Sequence, residues 1–205
     1  NKLSEMLEQY VGRVDYVVCE GTNVSRPDAT SCTEVELQKS FENALTQKIG
    51  HIVYLSSTNI DRLFSFYHAA LRAGMPFIVD AYQKQVMDIV AKSDSLWSKS
   101  KLYRYGEYEP LTLFRKGNDF AFNDKFVETI RDKGYVLIAR ANPRFDRLIN
   151  ELPGEKKKYL SMWQGYLDER KEAYNAALAK ALEGGYEYLH TSGHCDMSRM
   201  NNFFR

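Results

Sequence analysis

The sequence predicts an α/β fold, a mainly parallel sheet with helices on both faces. Two observations predict it: short apolar runs of strand length alternate with amphipathic stretches of helix length, and capping or helix-stopping residues stand at the joints between them. The pattern is alternation without internal repeats, which in chains of this kind gives right-handed βαβ crossovers.

Taken in order, residues 2–10 read as a short helix and Val14 to Cys19 as a strand. Glu34 to Gln47 places Val35, Leu37, Phe41, Ala44 and Leu45 at helical spacing and ends before Gly50. His51 to Ser56 is apolar and of strand length. Asn59 or Ser57 can cap the helix that follows to Arg72, and Gly74 closes it before Met75-Pro76 leads into a strand from Phe77 to Asp80. Further units are a helix near 82–92, a weak strand from Leu102 to Tyr105, a helix near 123–132, and a strand from Tyr135 to Arg140. A helix near 144–150, a strand from Lys158 to Met162, a helix over 167–183 and a strand from Tyr186 to Thr191 complete the series. Residues 93–122, rich in Ser, Lys, Tyr and Gly and poor in periodicity, read as an irregular insertion or a short antiparallel excursion.

A chain of 205 residues, 44% hydrophobic and 13% aromatic, is enough for one domain with a full core, or at most two small ones. With 28 basic and 27 acidic residues it carries no bulk attraction for nucleic acid, so any phosphate contact must be local. Its longest apolar run is well short of the roughly 20 residues of a bilayer span, and no signal segment opens it, so a soluble, cytoplasmic protein without membrane contact is expected. Cys19, Cys32 and Cys195 are odd in number and lack C-x-x-C spacing, which favours reduced thiols over a disulfide framework or zinc knuckle.

Chemistry-bearing residues gather after strands. His190-Thr191-Ser192-Gly193-His194-Cys195-Asp196 follows the apolar run Tyr186 to Leu189, and Glu20-Gly21-Thr22-Asn23 follows Tyr16 to Cys19. The carboxyl ends of strands are where open α/β sheets collect ligands, so an acid and an imidazole delivered there suggest half of an active site. His190 and His194 have the spacing of a helical metal pair, but their strand-to-loop setting argues against a self-contained metal site. His51, opening an apolar strand, and His68, between Tyr67 and Ala69, read as structural. Neither G-x-x-x-x-G-K-[ST] nor G-x-G-x-x-G occurs, which disfavours nucleotide hydrolysis and dinucleotide binding.

Ser56-Ser57-Thr58-Asn59-Ile60-Asp61-Arg62 joins a strand to a helix start, where an anion is favourably held; a plain helix cap is the competing reading. Glu20 to Pro27, with Gly21 and Arg26, is either a phosphate-contacting loop or an ordinary turn. Arg140, Asn142 and Arg144 form a further polar, basic strand-end loop. Tyr103, Tyr105 and Tyr108 suit a contact surface, burial being the commoner explanation for such residues.

These segments resemble the β-CASP domain of metallo-β-lactamase-fold nucleases of the ribonuclease J type. The strand with Glu20-Gly21-Thr22-Asn23 is similar to motif A of that family, and Ser192-Gly193-His194 to motif B. Leu55 to Arg62 resembles the loop that opens a helix in the same enzymes, and Tyr159 to Tyr166 the segment before the last β-CASP helix. The resemblance spans nearly the whole chain. It implies a single Rossmann-like β-CASP domain over 1–205, with the irregular insertion at about 93–122 and the metallo-β-lactamase domain outside the chain.

The resemblance further implies a zinc-dependent hydrolase acting on RNA or single-stranded DNA. The family's H-x-H-x-D-H metal loop is absent from this sequence, so no residue of the chain is assigned to a metal and the chain alone is expected to be inert. By carry-over, Glu20 and His194 are the catalytic candidates. Thr22, Asn23, Ser57, Asn59, Arg62, Ser192 and Gly193 are the candidates for binding substrate phosphate. Two departures stand out: Glu20 where ribonuclease J has Asp, and Cys195-Asp196 where it has Ala-Ser beside a 5′-phosphate pocket. The other reading is an interaction or lid module of a hydrolase that does not act on nucleic acid, with a homodimer among the arrangements left open.

Overall fold

The computed structural model describes residues 5, 8–13, 15, 16, 18, 32–94 and 100–192. The chain divides into two compact units, one of residues 33–191 and one made of 1–32 together with 192–205. In the second unit residues 8–10 are helical. The strand expected over Val14 to Cys19 is not formed by the residues described there: Asp15, Tyr16 and Val18 lie outside any strand, and Tyr16 and Val18 are almost fully exposed.

The larger unit is the α/β body. Helix α1 (Glu34–Ala44) starts in a reciprocal cap, Thr33 Oγ1 accepting from the Glu36 amide at 3.2 Å while the Thr33 amide donates to Glu36 Oε2 at 2.6 Å. Strand β1 (Gly50–Tyr54) leads to α2 (Ile60–Arg72), capped by Asn59, and Gly74 ends that helix at φ 65°. Strand β2 (Phe77–Asp80) runs directly into α3 (Ala81–Ala91), because Asp80 is at once the last strand residue and the helix cap, accepting from the Gln83 amide at 2.9 Å. A 3-10 turn (Lys101–Tyr103) precedes β3 (Leu111–Lys116) and β4 (Asp119–Ala121). Then come α4 (Asp124–Lys133), β5 (Tyr135–Ala139), α5 (Pro143–Glu151), β6 (Lys156–Leu160), a 3-10 turn (Gln164–Leu167), α6 (Ala176–Ala181) and β7 (Glu187–Tyr188).

The seven strands lie in the order β4-β3-β2-β5-β1-β6-β7, all neighbours parallel except β3 and β4. Strands β1 and β5 are buried along their whole length, as strands covered on both faces must be. Alternation along the strands then sorts the core into two layers. Val53, Val79 and Ile138 meet Phe41 of α1, Phe66 of α2 and Met87 of α3, while Ile52, Ile78 and Leu137 meet Ile130 of α4, Leu148 of α5 and Leu178 of α6.

Five expectations need correction in whole or in part. Of the two readings of 93–122, the antiparallel excursion fits β4, which pairs antiparallel with β3 at the sheet edge, while β3 itself was not expected to extend the parallel sheet beside β2. The weak strand at Leu102 to Tyr105 is a 3-10 turn, its tyrosines turned onto α2 and α3: Tyr103 donates to Asp61 and Tyr105 to Asp88 at 2.7 Å. Strand β6 ends two residues before Met162, since Leu160 is its last rung opposite Tyr54. The 167–183 helix shrinks to Ala176–Ala181, where Asn175 provides a cap and Leu178 an anchor, and the strand after it to Glu187–Tyr188.

Among the described residues no helix is long and apolar enough to cross a membrane.

Candidate functional site

Strands β5 and β1 are neighbours whose following helices depart to opposite faces, α5 to one and α2 to the other. The loops at their carboxyl ends therefore part and leave a crevice, the place where open α/β sheets bind ligands. The register aligns the residues along this rim. Tyr54 pairs with Ala139 on one side and Leu160 on the other, so Leu55, Arg140 and Ser161 stand side by side just beyond the sheet.

Arg62, in the first turn of α2, is 1% exposed and spends all five of its N–H groups inside the body. Its Nε donates to Glu34 at 2.9 Å (Oε2) and 3.1 Å (Oε1), and one terminal nitrogen to Glu34 Oε1 at 2.8 Å and the Thr191 carbonyl at 2.9 Å. The other donates to Ser161 Oγ at 2.7 Å and His190 Nδ1 at 3.2 Å. In this arrangement a contact between Arg62 and a phosphate would require one of these bonds to open. The guanidinium instead joins the start of α1, the end of β6 and the segment after β7, so that the body begins and ends at one corner of the rim. A buried charge of this kind is tolerable only because it is paired and fully hydrogen-bonded.

The hydrogen bond from Arg62 assigns the lone pair of His190 to Nδ1 and its proton to Nε2. Burial and the Arg62 charge hold the His190 pKa below the ordinary 6.5, against a hydrogen bond to the Ser161 backbone and the Glu34 charge. Burial likewise lowers His51, whose ring bonds Tyr159 Oη and the Gln47 carbonyl at 3.0 Å each, and His68, bonded to the Leu102 carbonyl at 2.8 Å. The structural role expected of His51 and His68 agrees with these contacts. Below 6.5 the unfolded chain binds protons at these positions that the folded chain does not, so stability falls as pH drops through 6.5 and levels off beneath the folded values. A urea midpoint at about pH 5.5 is expected to lie below that at about pH 7.5, with a smaller gap in His190→Gln. Equal midpoints in the unmodified protein would refute this.

The loop after β1 is built as a helix start. Asn59 Oδ1 caps α2 by accepting from the Arg62 amide at 3.2 Å, Ser56 and Thr58 hydroxyls lie 3.1 Å apart, and the Ser57 carbonyl accepts from Gln83 Nε2 at 3.1 Å. Ser56, Thr58, Asn59, Ile60 and Asp61 line a shallow open pocket of about 520 Å³. Beside it Asp80, buried, pairs with Arg140, whose guanidinium sits 5.3 Å from the ring centres of both Tyr82 and Phe145. Asn142 caps α5, accepting from the Arg144 and Phe145 amides at 3.1 and 3.2 Å.

Of the sequence-derived site residues, Ser57, Asn59 and Arg62 stand together at the crevice. Ser192 belongs to the other unit, and Glu20, Thr22, Asn23, Gly193 and His194 lie outside the described residues. Three residues that shape the rim, Glu34, Asp80 and Ser161, were not singled out by the sequence. Asp80 alone carried a readable signal, as an acid closing a strand at a helix start. Among the described residues no three His, Cys, Asp or Glu side chains gather as a group that could hold a metal ion. No protein-family model and no curated protein matches the chain.

Proposed function

We propose that the chain is the β-CASP portion of a metal-dependent phosphodiesterase that cleaves RNA or single-stranded DNA in a cleft completed by a companion domain. The observation that carries this reading is the Arg62 clasp, which holds the start of the body at Glu34 and its end at Thr191 to one corner of the carboxyl rim. A domain inserted into another needs its ends close together. The clasp also holds His190 and Thr191 at the corner where the 56–59 loop opens α2, a place where the sheet topology favours a ligand.

A zinc site, if the companion domain supplies one, would provide the activated water, and no residue of this chain is assigned to hold it. From this chain, His194 would donate a hydrogen bond to the scissile phosphate or protonate the leaving oxygen, and Glu20 would orient that machinery. Ser57, Asn59 and Ser192, with Thr22, Asn23 and Gly193, would hold a neighbouring phosphate, while Arg62 would act by fixing the segment that presents them.

The test is zinc content and single-stranded RNA and DNA cleavage, measured on the full-length protein beside this chain. The expected result is zinc and cleavage in the former only, with His194→Ala lowering the rate by about 10²–10⁴-fold. Cleavage or stoichiometric zinc in this chain alone would overturn the proposal. Zinc in the full-length protein without cleavage of either nucleic acid would favour the lid or interaction module.

A further inference from the structure

We propose that Tyr82, Arg140 and Arg144 form a subsite for one nucleotide of a single-stranded nucleic acid, the two guanidinium groups meeting its phosphate and the Tyr82 ring its base. The proposal rests on the nuclease reading and extends it to residues that no motif covers.

Position is the first support. Neighbouring parallel strands lie about 4.8 Å apart, so Arg140, following Ala139, stands one strand spacing from Leu55, where the 56–59 loop begins. Gln83, next to Tyr82, is bonded to the Ser57 carbonyl, which ties the two places into one surface. A strand held at the 56–59 loop would thus reach Arg140 within about one nucleotide.

Charge is the second support. Among the described residues the only acidic partner of Arg140 is Asp80, a buried carboxylate that also accepts from the Gln83 amide at 2.9 Å. Arg144, in the first turn of α5, donates its Nε to the Asn118 carbonyl at 3.0 Å and has no carboxylate partner among the described residues. The two guanidiniums stand beside the inward-facing Asp80 carboxylate and the exposed Asp146 in the first turn of α5, in a chain of net charge +1. Burial and the nearby Arg144 charge both lower the Arg140 pKa. The Arg140 side chain is 29% exposed, so its charge reaches solvent.

Shape decides the ligand class. A bare phosphate would need no ring, yet Tyr82 is 49% exposed beside the cations, with the Arg140 guanidinium 5.3 Å from its centre. Cationic groups that take the backbone and an aromatic face that takes the base are the pairing by which proteins hold unpaired strands; a base inside a duplex has no free face to offer.

Fluorescence anisotropy with a labelled oligouridylate, and with an abasic strand of the same length, tests this on the chain as it stands. Tyr82→Ala is expected to weaken the base-bearing strand about 10-fold and leave the abasic strand unchanged, while Tyr82→Phe keeps both. Arg144→Gln should weaken both and reduce the salt slope by about 0.7. Arg140 is left intact because of its pair with Asp80, and near-ultraviolet circular dichroism checks that each variant is folded. Binding indifferent to Tyr82→Ala, or an equal loss on both strands, overturns the subsite while the nuclease reading stands. Absence of binding by the unmodified chain also overturns it, and the nuclease reading is then decided by the cleavage assay on the full-length protein.

Discussion

Arg62→Ala is expected to lower the stability of the α/β body by about 2–4 kcal/mol, the cost of emptying a buried site and leaving its acceptors without a donor, while Glu34, 32% exposed, can turn part of its charge to water. That is a large share of the roughly 5–15 kcal/mol that holds a domain together. The loss would have three sources. The Glu34 carboxylate loses its paired hydrogen bonds, Ser161 Oγ and the Thr191 carbonyl lose a donor, and a cavity opens at a side chain that is 1% exposed. Arg62→Lys should recover little, since one ammonium cannot serve Glu34, Ser161, His190 and Thr191 from a single point. Combining Arg62→Met with Glu34→Gln should recover part of the loss, because the site is refilled and no carboxylate is left without its cation. Urea unfolding followed by circular dichroism measures all three. A loss below about 1 kcal/mol for Arg62→Ala would mean that the clasp is loose in solution.

Gly134→Ala is expected to cost about 3 kcal/mol or more, through a left-handed backbone and a collision at the same position. Gly134 has φ 69° and ψ −175°, a conformation open in practice only to glycine. An added Cβ would stand 2.7 Å from the Ile49 carbonyl oxygen, 2.8 Å from the Lys48 carbonyl carbon and 2.9 Å from the Ile49 nitrogen. All three are backbone atoms that cannot rotate aside. The Ile49 carbonyl also accepts from the Tyr135 amide at 3.1 Å, so displacing it disturbs the first rung between β1 and β5. Gly74→Ala isolates the conformational part, because Gly74 has φ 65° with nothing within 4 Å of the added atom, and about 1 kcal/mol is expected there. Thermal unfolding of the two variants should place Gly134→Ala well below Gly74→Ala; equal shifts would refute the collision.

Much of the fold was legible because its signals are local. The Asn59 cap, the Gly74 stop and the apolar runs of β1, β2 and β5 depend on neighbours within a few residues, and each appears where the sequence put it within a residue or two. The failures share a cause. In β3 Leu113 is the one fully buried side chain, so a strand at the margin of the sheet left almost no periodic trace. Residues 168–174, charged and without a buried member, continue the helix-like composition of Ala176–Ala181 but give a helix nothing to pack with. At the crevice the same division holds. A serine-rich helix start is visible in sequence, whereas the acceptors that draw Arg62 inward come from Glu34, Ser161, His190 and Thr191, which only the folded sheet brings together.

The single-corner entry and exit of the body has an entropic consequence. The chain on either side of the body meets it at two attachment points within the span of one guanidinium, so that a long segment closes as though it were a tight loop. Closure entropy grows only with the logarithm of loop length for a flexible segment, and a prefolded segment with adjoining ends avoids most of even that. Loosening Glu34 or Thr191 from Arg62 would return this term to the flanking segments, so a lesion in the clasp would be felt at both ends of the body.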